Sequence, residues 1–371
     1  MYSDARTGRG VHIVTDSLSD SPLTVLVLGV GGNVSQGILK ALALSTLPVR
    51  VIGACVGPES MGLYTSDAAY ISPRADDAAF VPWLIDVCNR EGVRAVLSGV
   101  EPVVAAISAQ RAQIEAETGA VCLVSPPQVL AVGDDKLRTC QWLEAHGLNT
   151  PRYADGSDRD AVRKLAAEAG YPLIAKPRGG KSAEGILTLR SDADADYIAT
   201  RPRYVVEEML GDSESEYTVG CFVDRNGMVR GSIAMRRSLH QGTTVFAQVG
   251  DYPDVRAEAE RIAAALKPVA SCNVQMRVHL GRPVAFEINV RFSGTTPMRA
   301  RFGFNEVEAA LRHYVLGEDV TLPRVTEGIA VRYWNELYVS PEAYTALARD
   351  GRLSDPHAFP TTLEDYGHRK P

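Results

Sequence analysis

No C-x-x-C pair occurs among the six cysteines of this 371-residue chain, and no H-E-x-x-H is present. The first absence removes the usual zinc and disulfide frameworks, and the second removes the zinc-protease helix. Basic charge is not in excess: 39 Lys and Arg stand against 45 Asp and Glu, a formal net charge of −6. That sign argues against nucleic acid as a partner, because neutralising phosphates needs a cationic surface. A long apolar run is also missing. The nearest, VLVLGVGGNVSQGILKALAL, is broken by glycine and polar residues, so no membrane span is expected. Residues 1–20 are polar and lack the apolar centre of a signal peptide. They read as a loose tail on a cytoplasmic protein.

Apolar residues make up 45% of the chain, enough for ordinary cores, and 371 residues imply two or three domains. From 21 to 130, strands and helices alternate. LTVLVLGVGGNVSQGILKALA reads as a buried strand, a glycine turn and a helix. VRVIGACV, WLIDVCNREG, VRAVLSGV, EPVVAAISAQRAQIEAETG and AVCLVS continue as strand, helix, strand, one long helix and strand. Such alternation means a parallel sheet wrapped by helices, an α/β unit. SPPQVLAVGDDKLRTCQWLEAHGLNTP follows as a turn, a short helix and a longer one ended by Gly147 and Pro151. From about 152 to 325 strand pairs dominate, with PDVRAEAERIAAALKPV as an intervening helix, which is an α+β pattern of antiparallel hairpins. GIAVRYWNELYV adds a strand and then a helix.

Gly29, Gly31 and Gly32 follow the first strand and invite a dinucleotide-binding reading. The end of the second strand, VIGACVGPE, offers no acid for a ribose before Glu59, and the glycine spacing is wrong, so NAD is not expected. A tight strand-to-helix turn explains the glycines, and the helix N-terminus behind it can face an anion. Glu101, just past VRAVLSGV, stands at the sheet edge where ligands bind in parallel sheets. A helix-start acid favoured by the dipole explains it equally well.

Two lysines stand out. Lys136 opens a helix in GDDKLRTC, and Lys176 ends a strand in PLIAKPRGGKSAEG, where its apolar neighbours call for an anion partner. The loop 179–185, with Gly180, Lys181 and Ser182, can close its backbone N–H groups over phosphate oxygens, Lys181 acting on turnover. In RYVVEEML, extended backbone at Glu207, Glu208 and Leu210 can meet an adenine edge. Glu214 and Glu216 in SESEYTV alternate onto one face, where either can accept ribose hydroxyls; a solvated acidic loop is the competing explanation.

PVAFEINVRFSGTT sets Glu287, Asn289 and Arg291 on one face of a strand, at intervals of about 7 Å, with Phe286, Ile288 and Val290 on the other. A half-buried strand with a polar outer face accounts for this; so does a platform for metal and phosphate. The hairpin SCNVQMRVHLGRPVAFEINV turns around residues 280–282, and a three-residue loop there places Gln275 opposite Glu287. Gln275, Glu287 and Asn289 then form a cluster of oxygen ligands. Mg2+ takes few protein ligands and completes its shell with nucleotide phosphates. Arg291 reaches the transferring phosphoryl group.

With these motifs in place, residues 21–325 resemble the ATP-grasp superfamily, and within it the carbamoyl phosphate synthetase large subunit and related carboxylate–amine ligases. The resemblance rests on Lys136 and Lys176, the glycine loop, VVEEML, ESEYTV, HQG, NVQ and FEINVRFSGTT. It implies an ATP-grasp fold with an N-terminal Rossmann-like domain: a tail 1–20, a pre-ATP-grasp α/β domain 21–130, a small lid domain 131–205, a C-terminal ATP-grasp domain 206–325, and an extension 326–371 packing on the ATP-grasp domain. It implies ATP and Mg2+ as cofactors. Lys136 and Lys176 would contact phosphates, and Glu207 with the backbone of Glu208 and Leu210 would hold adenine. Glu214 or Glu216 would hold ribose, and His240 in LHQG matches a nucleotide-site histidine. Gln275, Glu287 and Asn289 match the magnesium ligands, and Arg291 matches the arginine that steadies the transferring phosphate. Arg299 and Arg301, and more weakly Arg236 and Arg237, are candidates for a substrate carboxylate; for Arg299 and Arg301, surface salt bridges on a helix start are the competing explanation.

Departures bear on the activity. Val290 replaces the family's usual proline, lysines stand at 136 and 176 where the synthetase often has arginine, and the body is not duplicated. The implied reaction joins a small carboxylate to an amine, amino acids among the candidates, through an acyl phosphate, with release of ADP and phosphate. A synthetase-like activation of bicarbonate and a non-catalytic nucleotide-binding module are the alternatives. Family habit points to a homodimer.

Overall fold

LTVLVL offers apolar side chains to both faces, so the strand it forms has to be covered on both sides. The computed structural model describes residues 21–180, 184–211, 213–322 and 325–364. In it β1 (Leu23–Leu28) lies inside a parallel sheet between β2 (Val49–Cys55) and β4 (Ala95–Ser98), with β3 (Ala68–Ile71) beyond β2 and β5 (Val121–Cys122) beyond β4. The helices are α1 (Asn33–Ala43), α2 (Phe80–Glu91), α3 (Glu101–Ala109) and α4 (Arg111–Thr118). Leu26, Ile52 and Val96 pack with Leu84, Val87 and Ile107 on one face, while Val25, Val27 and Leu97 pack with Ile38 and Leu42 on the other. Gly29 takes the turn after β1 at φ +70, and a Cβ there would meet Val100 Cγ2 at 2.4 Å. The turn therefore needs bare backbone for its own geometry.

Two features escape the sequence pattern. AAYI forms β3, a short strand without alternation between two loops. The long helix expected over EPVVAAISAQRAQIEAETG is two helices, broken at Gln110, whose φ of −114 and ψ of 16 leave the helical region.

α5 (Pro127–Asp134) and α6 (Lys136–Ala145) lead out of the first sheet. Asp135 separates them and caps α6 by accepting from Leu137 N and Arg138 N. A small antiparallel sheet follows, in the order β6 (Tyr153–Asp155), β9 (Tyr204–Glu208), β7 (Leu173–Pro177), β8 (Leu187–Leu189). It is backed by α7 (Arg159–Ala169) and α8 (Asp192–Ala199) over a separate core of Val162, Leu165, Leu173, Ile198 and Val206. β9 carries this sheet to Glu208, so the unit runs past the boundary expected at 205.

The larger sheet is built from β10 (Glu216–Val223), β11 (Val229–His240), β12 (Thr243–Val249), β13 (Ala270–His279), β14 (Arg282–Asn289) and β15 (Gly328–Val331), with α9 (Pro253–Leu266) across one face. α10 (Thr296–Arg301) and α11 (Glu306–Ala310) cover the other and meet α1, joining this sheet to the first. In the tail, β16 (Leu337–Val339) pairs with β18 (Thr361–Leu363), and α12 (Pro341–Asp350) leads to β17 (Arg352–Leu353). β17 pairs antiparallel with β3 in the first sheet. The tail thus does not pack on the second half of the chain alone: β15 completes the larger sheet and β17 the first.

Candidate functional site

The β13–β14 hairpin brings together its polar residues by a route other than the expected one. Its loop has two residues, Leu280 at φ 49 and Gly281 at φ 76, so that His279 pairs with Arg282. Continued without interruption, that register would set Gln275 opposite Phe286. A β-bulge intervenes: Met276 pairs with Ala285 and Gln275 with Glu287, leaving Phe286 as the extra residue. The bulge corrects the loop by one position. Gln275 and Glu287 face each other, and Asn273 faces Asn289.

Glu287, Asn289 and Arg291 line a cavity of about 740 Å3, together with Gln275, Arg237, Lys136 and Gly180. The opposite wall belongs to the first sheet, with Gly32 and Asn33 at the start of α1 and Glu101 at the start of α3. One volume thus joins the polar strand face, the hinge lysine, the glycine loop and the sheet-edge acid. Lys136 Nζ donates to the Gly180 carbonyl at 3.3 Å. Its backbone N–H donates to the carbonyl of Arg178, whose guanidinium in turn holds Asp135 at 2.7 Å. Across the cavity Arg291 is ion-paired with Glu101. Glu101 thereby touches the arginine expected at the transferring phosphoryl group.

Arg237 is nearly buried and forms the cavity floor beside the expected metal ligands. It donates to Glu216 Oε1 at 2.8 Å and to Gln275 Oε1 at 2.5 Å. Arg277 takes the other oxygen of Glu216 at 2.8 Å. Glu216 is therefore engaged on both oxygens and turned inward. Glu214 sits in the 3-10 turn Ser213–Ser215 rather than on the strand, and its side chain is 83% exposed. The two glutamates do not share a face, and Glu214 lies 3.7 Å from the Arg236 guanidinium. Asn289 Nδ2 donates to Glu287 Oε1 at 3.0 Å, and among the described residues the Asn289 oxygen and the second Glu287 oxygen have no other partner. That donor set suits a hard, oxygen-seeking divalent cation with few protein ligands. Gln275 fits less simply, because its oxygen already accepts from Arg237.

On the small sheet, Lys176 has the anion partner its burial requires. Its Nζ lies 2.6 Å from Glu207 Oε2 and 5.0 Å from the ring centroid of the bulged Phe286. Glu208 is held by Arg152 at 2.9 Å, and the Leu210 carbonyl accepts from Arg277 at 3.1 Å. Lys176, Glu207, Glu208 and Leu210 form a neighbouring group that does not line the 740 Å3 cavity. His240 is exposed at the end of β11 and also stands outside it, although Gly242 and Thr243 of the same turn line the wall. Lys181 and Ser182 lie outside the described residues.

Arg299 needs correcting. Its side chain is 0% exposed. Its guanidinium donates to Glu306 at 2.5 Å, Asn273 at 2.8 Å and Thr296 at 2.9 Å. It is neither a substrate ligand nor a surface salt bridge, but an internal brace between α10, α11 and β13. Arg301 is exposed on the last turn of α10 and is not part of the cavity wall.

Three contributors went unread. Asn33 lines the cavity from the glycine turn. Asp134 does so from the end of α5; burial, then the charge of Glu101, pushes its carboxyl up, while Arg291 pulls it down. The doubled acid in GDDK was a signal for it. Arg332, from the tail, donates to Asn33 Oδ1 at 2.8 Å and also bonds the Gly294 carbonyl. Nothing local in AVRYW points to that contact.

Residues 200–337 match the family described as ATP-grasp in the biosynthetic pathway with Ter operon, and residues 25–122 match the PylC-like N-terminal domain. The carbamoyl phosphate synthase large chain of Halobacterium salinarum is 24% identical over 362 residues, covering 89% of this chain and 33% of that one. A formate-dependent phosphoribosylglycinamide formyltransferase from a Synechococcus species is 25% identical over 240 residues, covering 62% of this chain and 54% of that one. The chain thus spans about a third of the synthase and about half of the formyltransferase. Among solved structures, N5-carboxyaminoimidazole ribonucleotide synthetase from Thermus thermophilus shares the fold with a TM-score of 0.64 at 18% identity, covering 82% of this chain and 80% of that one. The biotin carboxylase domain of 2-oxoglutarate carboxylase from Hydrogenobacter thermophilus does so with a TM-score of 0.62 at 16% identity, covering 82% and 71%. One family match thus covers residues 200–337 and another residues 25–122, and the solved structures share the fold over more than four-fifths of this chain.

Proposed function

We propose that the protein is an ATP-dependent carboxylate–amine ligase. The observation that carries this is the single cavity in which Lys136, Gly180, Glu287, Asn289 and Arg291 face Asn33 and Glu101 of the first sheet. A phosphate-holding wall stands opposite a wall that can receive a second substrate. Lys136 and the loop at Gly180 hold the terminal phosphates, Glu207 with the backbone of Glu208 and Leu210 holds adenine, and Glu214 holds ribose. Glu287 and Asn289 hold Mg2+, with Gln275 shared between the ion and Arg237. The ion supplies charge neutralisation on the phosphates when bound. Phosphoryl transfer asks for positioning and charge rather than a nucleophilic side chain, and this wall supplies both.

In the first step a carboxylate oxygen of the substrate bonds to the γ-phosphorus while the bond to the ADP oxygen breaks. Arg291 steadies the moving phosphoryl group, and its pairing with Glu101 fixes its direction. In the second step the amine nitrogen bonds to the acyl carbon, the carbon–oxygen bond to phosphate breaks, and the amine loses a proton. The similar biotin carboxylase domain from Hydrogenobacter thermophilus is a dimer, which supports a homodimer here as well; sedimentation velocity tests it.

Phosphate release from Mg-ATP, measured over a panel of small carboxylates and amines with amino acids included, tests the reading. Release that needs one carboxylate and one amine together is expected. Release with bicarbonate alone would replace the ligase by a bicarbonate-activating enzyme. Nucleotide binding with no release across the panel would leave a binding module.

A further inference from the structure

A second cavity, of about 600 Å3, lies away from the first, between the outer edge of the first sheet and the β10–β11 turn. Arg111 of α4, Arg225 of that turn and Lys267 at the end of α9 bring three cations to it from three elements. Each of its two acids has one oxygen engaged in hydrogen bonds. Glu115 Oε1 accepts from Arg111 Nε at 2.9 Å and from the backbone of Cys122 at 3.0 Å. Asp224 Oδ1 accepts from the backbone of Asn226 and Met228, each at 2.9 Å.

The cations keep donors in hand. Arg225 uses Nη2 on the carbonyls of His313, at 2.7 Å, and Tyr314, at 3.1 Å. Arg111 uses Nε and Nη1, the latter on the Val124 carbonyl at 3.1 Å. Among the described residues Lys267 Nζ has no partner. The Arg225 guanidinium lies 5.7 Å from the centroid of the Tyr314 ring, which lines the same cavity as Arg111. Lys267 is also held in an unusual backbone. It caps α9 at φ 51 and ψ 56, the left-handed region, where α2, α4 and α12 end in Gly92, Gly119 and Gly351. Its stem crosses Gly227, where a Cβ would meet Lys267 Cδ at 2.9 Å. A lysine that takes a backbone conformation suited to glycine, and is laid along a bare turn into the cavity wall, is an outlier that points to a ligand.

We propose that this cleft is an anion site for a small phosphate-bearing ligand, held by Arg111, Arg225 and Lys267. Guanidinium groups match two phosphate oxygens at once, and the lysine adds a point charge. The volume admits an ion or a small metabolite. Because Arg111 belongs to a helix of the first sheet, Arg225 to a turn of the larger sheet and Lys267 to the end of the helix that covers it, a bound phosphate links the two halves from the side away from the catalytic cavity.

The test is the thermal unfolding midpoint of the full chain, with saturating Mg-ADP and constant ionic strength, titrated with inorganic phosphate or with ribose 5-phosphate. A saturable rise is expected, with inorganic phosphate sufficing if the ligand is the free ion and ribose 5-phosphate acting at lower concentration if it is a metabolite. Lys267→Gly suits the left-handed backbone and so keeps the fold; it should raise the half-saturating concentration about tenfold or more, the loss of one charged contact. Lys136→Ala should keep the rise. No saturable rise, an unchanged rise in Lys267→Gly, or a rise lost in Lys136→Ala because phosphate sits in the catalytic cavity, each overturns the site.

Discussion

Arg332 donates to Asn33 Oδ1 at 2.8 Å, although 299 positions separate the two residues. The same guanidinium bonds the carbonyl of Gly294, in the loop that follows the Glu287 strand. Asn33 and Gly294 line one cavity side by side, a Cβ at Gly294 falling 2.7 Å from Asn33 Nδ2, so a residue from the tail pins the seam where two parts of its wall meet.

Removing that tie should loosen the second-substrate wall. Hydrogen bonds to a charged group contribute roughly 1.5–3 kcal/mol, so Arg332→Ala should raise the KM of one substrate about tenfold or more. The rise of the unfolding midpoint with Mg-ATP should persist, because Asn33 and Gly294 are not in the nucleotide group. An equal loss of ATP response would show that the tie holds the whole fold rather than one wall.

Glu287→Gln keeps shape and removes the one charged group among the expected metal ligands. Losing a preorganised electrostatic contact at a reacting centre costs on the order of 10²–10³ in rate. Turnover should fall by at least that much at saturating magnesium, in a protein that still binds adenine nucleotide. Asp251→Asn, in a loop, is the control, with phosphate release near that of the unaltered protein. If Glu287→Gln retains more than about half the rate, the strand face holds no metal.

Lys176 and Glu207 form a buried pair, 2.6 Å apart. Removing one partner of such a pair strands the other charge and costs about 3–5 kcal/mol. Lys176→Met should therefore lower the denaturant midpoint as well as weaken nucleotide binding. Lys176→Met with Glu207→Leu should recover most of the stability and none of the binding. A double variant no more stable than the single one would contradict the pairing.

Arg299→Met leaves Glu306 buried without its cation, and the same range, about 3–5 kcal/mol, is expected as lost stability. The loss should appear in urea unfolding with no ligand present. A stable Arg299→Met protein with a raised KM would restore Arg299 to the substrate site.

Asp134 gives a pH dependence. Its folded pKa is raised, by burial first and then by Glu101, with Arg291 opposing. A carboxyl raised above its unfolded value, about 3.9, destabilises the fold wherever it is ionised, and the penalty disappears as pH falls through both values. Asp134→Asn should thus unfold at a higher temperature than the unaltered protein at neutral pH, and the gap should close below about pH 4. A gap independent of pH would exclude Asp134 as its source.

Local pattern was legible where chemistry and period coincide. The i, i+2 spacing placed Glu287 and Asn289 on one surface because strand geometry alternates side chains irrespective of context, whereas the strand ends at Asn289 and Arg291 reaches the same cavity from the bend beyond it. Lys136 and Gly180 came from a helix start and a glycine turn, both read from neighbouring residues. Gln275 was paired with Glu287 through a three-residue loop, and the partner was right while the loop was not. The chain uses two left-handed residues and a bulge at Phe286, and a bulge depends on what lies beneath the strand: Lys176, from another sheet, covers that ring.

What the amino-acid order determined by itself is therefore the set of parts: an α/β half with a glycine turn, a hinge lysine, a glycine loop and a strand carrying acid and amide on one face with a guanidinium just past its end. What only the tertiary structure decided is which charges remain for a ligand. Glu216 is enclosed by Arg237 and Arg277, Arg299 is enclosed by Glu306, and Arg291 meets Glu101 from 190 positions away. Backbone periodicity acts over a few residues, whereas the partner of a charge is set by whichever element the packing of the sheets and helices brings against it.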